Sequence, residues 1–156
     1  MTGSISTPAV LSERGGLVAG IEVEIPEGLE RYELQLPGND EQVKEALDKS
    51  LQLLQVAPPE QSWPLVAAAY LAPLNEILPC DFLIWVYGPT GQRKSTACAL
   101  AMSFYGNFDR NSLPGNFTST GNALELQSFA AKDALFVMDD FSPPNDAQQS
   151  HQQEVA

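Results

Sequence analysis

"FLIWVYGPTGQRKST", residues 82–96, decides the fold. Phe82–Tyr87 is a continuous, β-rich apolar run. Such a run has the character of a central parallel strand buried on both faces. It leads into Gly88, and Gly91 lies inside the loop that follows. Lys94 and Ser95 close that loop. The spacing is that of a phosphate-binding loop: a glycine, four residues, then Gly-Lys-Ser/Thr. One letter departs from it, because Arg93 stands where the pattern has glycine. "KSTACALAMSFYG" then predicts a helix that ends at Gly106.

Each part of this arrangement has a chemical reason. Gly88 and Gly91 let the backbone turn tightly and gather its N–H groups around phosphate oxygens. The N-terminus of the following helix adds a favourable dipole. Lys94 can reach the β- and γ-phosphates as a point charge, and Ser95 can place its hydroxyl on Mg²⁺. Thr96 offers helix packing or a secondary polar contact. The expected nucleotide-binding set is Gly88, Pro89, Thr90, Gly91, Gln92, Arg93, Lys94, Ser95 and Thr96. Arg93 is expected at the join of loop and helix with near-helical backbone angles, where a side chain is sterically possible. Its side chain is expected to point away from the pocket. There it could sit in solvent, pair with an acid, or touch a phosphate or a neighbouring subunit.

The second half of the expected site is "DALFVMDDF", residues 133–141, read as a buried strand that ends in two aspartates. Ligands of open α/β sheets bind at the carboxyl ends of such strands. Asp139 is the expected carboxylate on the Mg²⁺ side. Asp140 takes the position that polarises the attacking water, where a glutamate is more usual, so it is a weaker base or a water-positioner. The alternative is a strand ending in a solvated acidic turn. Between the two halves, "NFTSTGNALELQSFAAK" predicts a short strand and then a helix from about Asn122 to Lys132. Thr120 and Asn122 are candidate γ-phosphate sensors; the competing reading has one of them capping that helix.

Working outward, residues 1–16 read as a loose polar leader, with no basic region before a long apolar run and so no expected signal peptide. Residues 17–79 form a separate region. Ile21, Val23 and Ile25 alternate with Glu22 and Glu24, and Tyr32, Leu34 and Leu36 with Glu33 and Gln35. With Pro26-Glu27-Gly28 between them, they predict an antiparallel hairpin with one wet face. "GNDEQVKEALDKSLQLLQVAP" predicts a helix capped by Asn39 or Asp40 and ended by Pro58-Pro59. "QSWPLVAAAYLAPLNEILPC" predicts a second, with Ser62 as cap, Pro64 in its first turn, Pro73 as a break, and Trp63 and Tyr70 in the core. Residues 80–145 are the β-loop-α, β-α, β core, the start of a doubly wound sheet. Residues 146–156 are a polar tail that begins a helix, and His151 there has no assigned role.

The bulk numbers constrain the partners. The chain has 156 residues, 44% hydrophobic, enough for one domain with a sizeable core. With 8 Lys+Arg against 20 Asp+Glu, its net charge of −12 speaks against this chain alone gripping a nucleic-acid backbone. Cys80 and Cys98 fit no metal or redox spacing and read as buried free thiols of a reducing, cytoplasmic compartment. The most apolar stretch, "PLVAAAYLAPLNEILP", is interrupted by Asn75 and Glu76 and reads as a buried helix, not a membrane span.

Taken together, "FLIWVYGPTGQRKSTACALAMSFYGNF", "LPGNFTSTGNALELQSFAAKDALFVMDDFSPP" and "WPLVAAAYLAPL" resemble a group of bacterial and phage ATP-binding proteins. These are the primase-associated, helicase-like ATPases of mobile elements, within the broad AAA+ and RecA-like class. The resemblance covers roughly residues 20–145. It implies ATP binding by Gly88–Thr96, with Mg²⁺ and hydrolysis roles at Asp139 and Asp140, and that an arginine before the lysine is tolerated. It also implies a DNA substrate, a primase partner and a homo-oligomer, hexameric in the full-length form. Such proteins continue past the second acidic motif with more strands, a polar sensor and arginines that complete a neighbour's site. The expectation is therefore an ATPase truncated after its Walker B motif, with a three-stranded partial sheet. The competing expectations are a non-catalytic nucleotide-binding or interaction fragment of a longer ATPase, and a small acidic domain whose loop binds only an anion.

Overall fold

A computed structural model describes residues 25–33 and 37–141. Among the described residues, four α-helices and two short strands follow in order: α1 (Asp40–Gln52), α2 (Pro59–Leu71), α3 (Lys94–Met102), β1 (Gly115–Asn116), α4 (Gly121–Ala130) and β2 (Met138–Asp139). β1 and β2 pair in parallel, Gly115 opposite Met138 and Asn116 opposite Asp139. The ladder runs slightly beyond them: Gly115 N donates to Val137 O at 2.9 Å, and Phe117 N to Asp139 O at 3.1 Å. A parallel pair needs a crossover, and α4 supplies it.

α1 starts as its sequence predicts. Asn39 adopts extended angles and its side chain accepts from Gln42 N at 2.9 Å, while Asp40 and Glu41 favour the positive end of the dipole. One face carries Val43, Leu47 and Leu51, yet all three stay 45–48% exposed. α2 departs from its expected start. Pro58 precedes it and Pro59 takes the first turn, so Pro64 lies inside the helix. Ser62 is therefore not a cap. It is buried, and its hydroxyl donates to Leu54 O at 3.0 Å, tying α2 to the short 3₁₀ turn after α1. The break expected at Pro73 is present: α2 stops at Leu71 and a 3₁₀ turn spans Ala72–Leu74.

The core lies where α2 meets α3. Val66 and Ala69 of α2 are buried with Cys98, Ala99, Ala101 and Met102 of α3. The alanines let the two backbones approach closely, and Met102 fills the space between at 0% exposure. Burying such a side chain contributes about 1.5–3 kcal/mol. Trp63 and Tyr70 are not core, at 60% and 40% exposure, because the small residues of α2 turn inward instead. Tyr70 packs edge-to-face on Phe104 at 5.3 Å. α3 ends at Met102, short of Gly106, and Tyr105 beyond it donates its hydroxyl to Ala69 O at 2.6 Å.

The two strand runs of the hairpin expected over 21–36 lie largely outside the described residues, since 21–24 and 34–36 do. The turn between them is present, with Leu29 N donating to Pro26 O and Gly28 at φ +91°. Tyr32 bridges antiparallel to Gly106, and Glu33 N donates to Tyr105 O at 2.7 Å. Gly106 is required there, since a Cβ would collide with the Arg31 carbonyl oxygen. Tyr32 also packs edge-to-face on Phe108 and donates its hydroxyl to Leu135 O at 2.8 Å. This segment therefore ties the end of α3 to the approach of β2.

Residues 82–88 differ most from their reading. The run forms no backbone ladder, and Phe82, Leu83, Trp85 and Tyr87 are 50–85% exposed. A parallel strand is buried only when neighbours lie along both edges and helices cover both faces. Among the described residues no backbone hydrogen bond pairs this run with another segment, although Trp85 packs edge-to-face on Phe117 at 5.9 Å and on Phe141 at 5.0 Å. Cys80, expected to be buried, is half-buried; Cys98 is buried, and both are free thiols. No helix among the described residues is long and apolar enough to cross a membrane.

Candidate phosphate-binding loop and acidic strand end

The loop from Gly88 to Arg93 folds as a tight turn before α3. Gly88 at φ +152° and Gly91 at φ +87° take backbone angles that a side chain would strain. Arg93 is a correction. It does not sit near helical angles but in the left-handed region, at φ 59° and ψ 29°, at the cap position of α3. The chain reverses its twist there so that the first helical N–H groups face the loop. A glycine would adopt this geometry freely, while a side chain costs about 1–2 kcal/mol. Arg93 is exposed and is among the residues that line the same cleft as the loop.

The first bond of α3 runs from Ala97 N to Arg93 O at 3.0 Å. The N–H groups of Lys94, Ser95 and Thr96 thus have no acceptor within the helix, and their dipoles sum with that of the helix. Lys94 arches back over the loop. Its ammonium donates to Gly88 O at 2.9 Å and to Pro89 O at 3.0 Å. Both acceptors are neutral carbonyls, which an anionic phosphate oxygen outcompetes for the same charge.

The acidic end of β2 faces this loop across one cleft of about 920 Å³. Gly88, Thr90, Gly91 and Arg93 to Thr96 line it from one side, Asp139 and Asp140 from the other. Pro89 and Gln92 do not line it; the Gln92 side chain folds toward Gly88 instead. Burial, and then the charge of Asp139, pushes the Cys98 thiol above its ordinary value. Cys98 lies one helical turn beyond Lys94 on α3, so the Asp139 carboxylate sits close to the helix that carries the lysine. Asp140 takes left-handed angles, φ 62°, which turn its side chain out of the strand's alternation. Its Oδ2 accepts from Asn116 Nδ2 at 3.0 Å.

Asn116 is the residue that sequence reasoning missed. Its Oδ1 accepts from both the N–H of Thr118 at 2.8 Å and the hydroxyl of Thr118 at 2.7 Å. The amide is thereby fixed with its N–H₂ toward Asp140. The available signal was its place as the last residue of a strand paired to the acidic one. Thr120 and Asn122 go elsewhere. Thr120 caps α4, accepting from Ala123 N at 3.4 Å, and Asn122 is exposed on that helix. Neither lines the cleft.

For a divalent cation, the residues on hand are the Ser95 hydroxyl and the Asp139 and Asp140 carboxylates. No group of three or more His, Cys, Asp or Glu able to hold a metal occurs among the described residues. That donor set suits Mg²⁺, which binds through one or two carboxylates together with phosphate oxygens and water.

A family model matches residues 41–153: the domain of unknown function DUF927. The chain belongs to the DUF927 family. The match begins in the first turn of α1, so the DUF927 region takes in α1 to α4, the loop, both strands and the acidic pair. No curated protein and no solved structure matches this DUF927 chain.

Proposed function

We propose that the chain is an ATP- and Mg²⁺-binding P-loop NTPase module, the nucleotide-binding part of a helicase-like ATPase that works on mobile-element DNA during replication. The observation that carries the nucleotide part is Lys94. Its ammonium is held over the loop by two carbonyls, at the unpaired N-terminus of α3, across a cleft from Asp139 and Asp140. Backbone N–H groups of 94–96 and the lysine would bind the β- and γ-phosphates. Ser95 and Asp139 would hold Mg²⁺, whose charge offsets that of the phosphates when bound. Asp140, oriented by Asn116, would position the attacking water.

The DNA part rests on the resemblance of the three quoted segments to primase-associated ATPases. The net charge of −12 assigns DNA contact to other surfaces, those of a primase partner or of an oligomer. Two free thiols support a reducing, cytoplasmic setting.

One observation favours a second reading, that of a non-catalytic nucleotide binder. Asp140 is shorter than the usual glutamate, and Asn116 already engages one of its oxygens. Single-turnover phosphate release, with and without single-stranded DNA, separates the two. Release that Asp140→Asn abolishes supports the hydrolase. Tight Mg²⁺-ATP binding with no release under either condition supports the binder.

A further inference from the structure

None of the thirteen residues of α1 is buried, and its apolar row of Val43, Leu47 and Leu51 is half-exposed. A helix of this length gains most of its stability from packing such a face, not from propensity. A second exposed row runs along α2 and the turn after it: Trp63, Tyr70 and Leu74, at i, i+7 and i+11. The rows meet where the hydroxyls of Ser50 and Tyr70 lie 2.5 Å apart, and the Ser50 hydroxyl also donates to Leu47 O at 2.7 Å. None of these six apolar residues lines the cleft of the phosphate-binding loop. The face is separate from that site. Its rim is acidic. Asp40 and Asp48 run beside the α1 row with Lys44 between them, and Glu60 lies one turn before Trp63. Across residues 40–76, six Asp or Glu stand against two Lys, and Lys49 is already paired with Glu45 at 2.7 Å.

We propose that the face shared by α1 and α2 docks a basic amphipathic helix of a partner protein. The incoming apolar row, at i, i+4 and i+7, packs between the two exposed rows. Its flanking Lys or Arg meet Asp40, Asp48 and Glu60, which set its register and speed its approach. The same rim disfavours the other occupants. An anionic membrane or a nucleic-acid backbone is repelled by it. A second copy would bring a second acidic rim and a further charge of −12. The other segments of the sequence are not basic either. Residues 1–24 hold Arg14 against Glu13, Glu22 and Glu24, residues 34–36 are uncharged, and residues 142–156 hold Asp146 and Glu154 with no Lys or Arg.

Amide hydrogen exchange on the full chain tests this with a helical probe peptide, Leu-Lys-Ala-Leu-Leu-Lys-Lys-Leu-Lys-Ala-Leu-Leu-Lys-Lys-Leu. With no buried residue to hold it, α1 is expected to exchange its amides rapidly in the protein alone, and at least tenfold more slowly with the probe. The same peptide with glutamate for lysine leaves the rate unchanged, as does a scramble that destroys the apolar row. The double variant Asp40→Asn, Asp48→Asn weakens binding of the probe severalfold, and so does Leu47→Ala, with the helical circular dichroism of both variants retained. Three results would overturn the proposal: no slowing by the probe, equal slowing by the glutamate peptide or the scramble, or slow exchange of α1 in the chain alone. The last would mean that another part of the chain or a second copy already covers the face.

Discussion

The side-chain amide of Asn116 donates to Oδ2 of Asp140 at 3.0 Å, joining the carboxyl ends of the two paired strands. Asn116 is itself locked by two donors from Thr118, so its orientation does not depend on the aspartate. If Asp140 positions the attacking water, this amide sets where its free oxygen points. Asn116→Ala is expected to lower turnover about tenfold, equivalent to about 1.4 kcal/mol, while leaving nucleotide affinity within a factor of about two. Steady-state kinetics beside equilibrium binding checks this. An equal loss in both would assign Asn116 to folding of the strand pair.

Arg93 holds a left-handed backbone without glycine's freedom. Relief of that strain and the larger entropy that glycine loses on folding nearly offset each other. Arg93→Gly is therefore expected to be as stable as the parent or more stable by up to about 1 kcal/mol. A β-branched residue resists this region, so Arg93→Val is expected to lose about 1–2 kcal/mol. Urea melts of the three proteins give the order Gly, Arg, Val. The reverse order would place Arg93 in ordinary helical angles.

Burial pushes the Tyr105 hydroxyl up from its ordinary 10.0 to about 12, and burial raises Tyr32 further. A group whose folded value is raised contributes its full stabilisation below the unfolded value and loses it as pH rises through the folded one. Unfolding temperature is thus expected to hold up to about pH 10 and to fall between pH 10 and 12 on account of Tyr105. Tyr105→Phe flattens part of that fall, although it also removes the bond to Ala69 O. An unchanged slope in the variant would contradict the account.

The two thiols differ in the same physical terms. Cys80 is half-buried, whereas Cys98 is buried and kept protonated by burial and by Asp139. Only the thiolate reacts. A neutral-pH alkylating reagent is expected to modify Cys80 at least tenfold faster, with Cys98 following only on unfolding. Mass spectrometry of timed samples reads the ratio. Equal rates would mean that the α2–α3 core opens readily.

Much of this was legible in the chain because it is local. The glycine-punctuated loop, the Asn39 cap, the break at Pro73 and the helix after Thr120 all follow from residues within a few positions of each other. What was not legible depends on neighbours distant in sequence. The apolar run 82–88 reads as buried, but its burial requires flanking strands, and none pairs with it among the described residues. Arg93 was misplaced because its angles follow from how the loop meets α3, which no residue type announces. Asn116 was missed because its role exists only through the pairing of β1 with β2. Thr120 was readable both ways, and its side chain caps α4.

The central claim is that the loop binds nucleotide phosphates through Lys94. Calorimetric titration of Mg²⁺-ATP into the wild type and Lys94→Ala tests it most directly. A charge-assisted contact of about 1.5–3 kcal/mol predicts that the variant binds about 10- to 100-fold more weakly, with its fold intact by circular dichroism. Equal affinity in the two proteins, or no binding by the wild type, would contradict it.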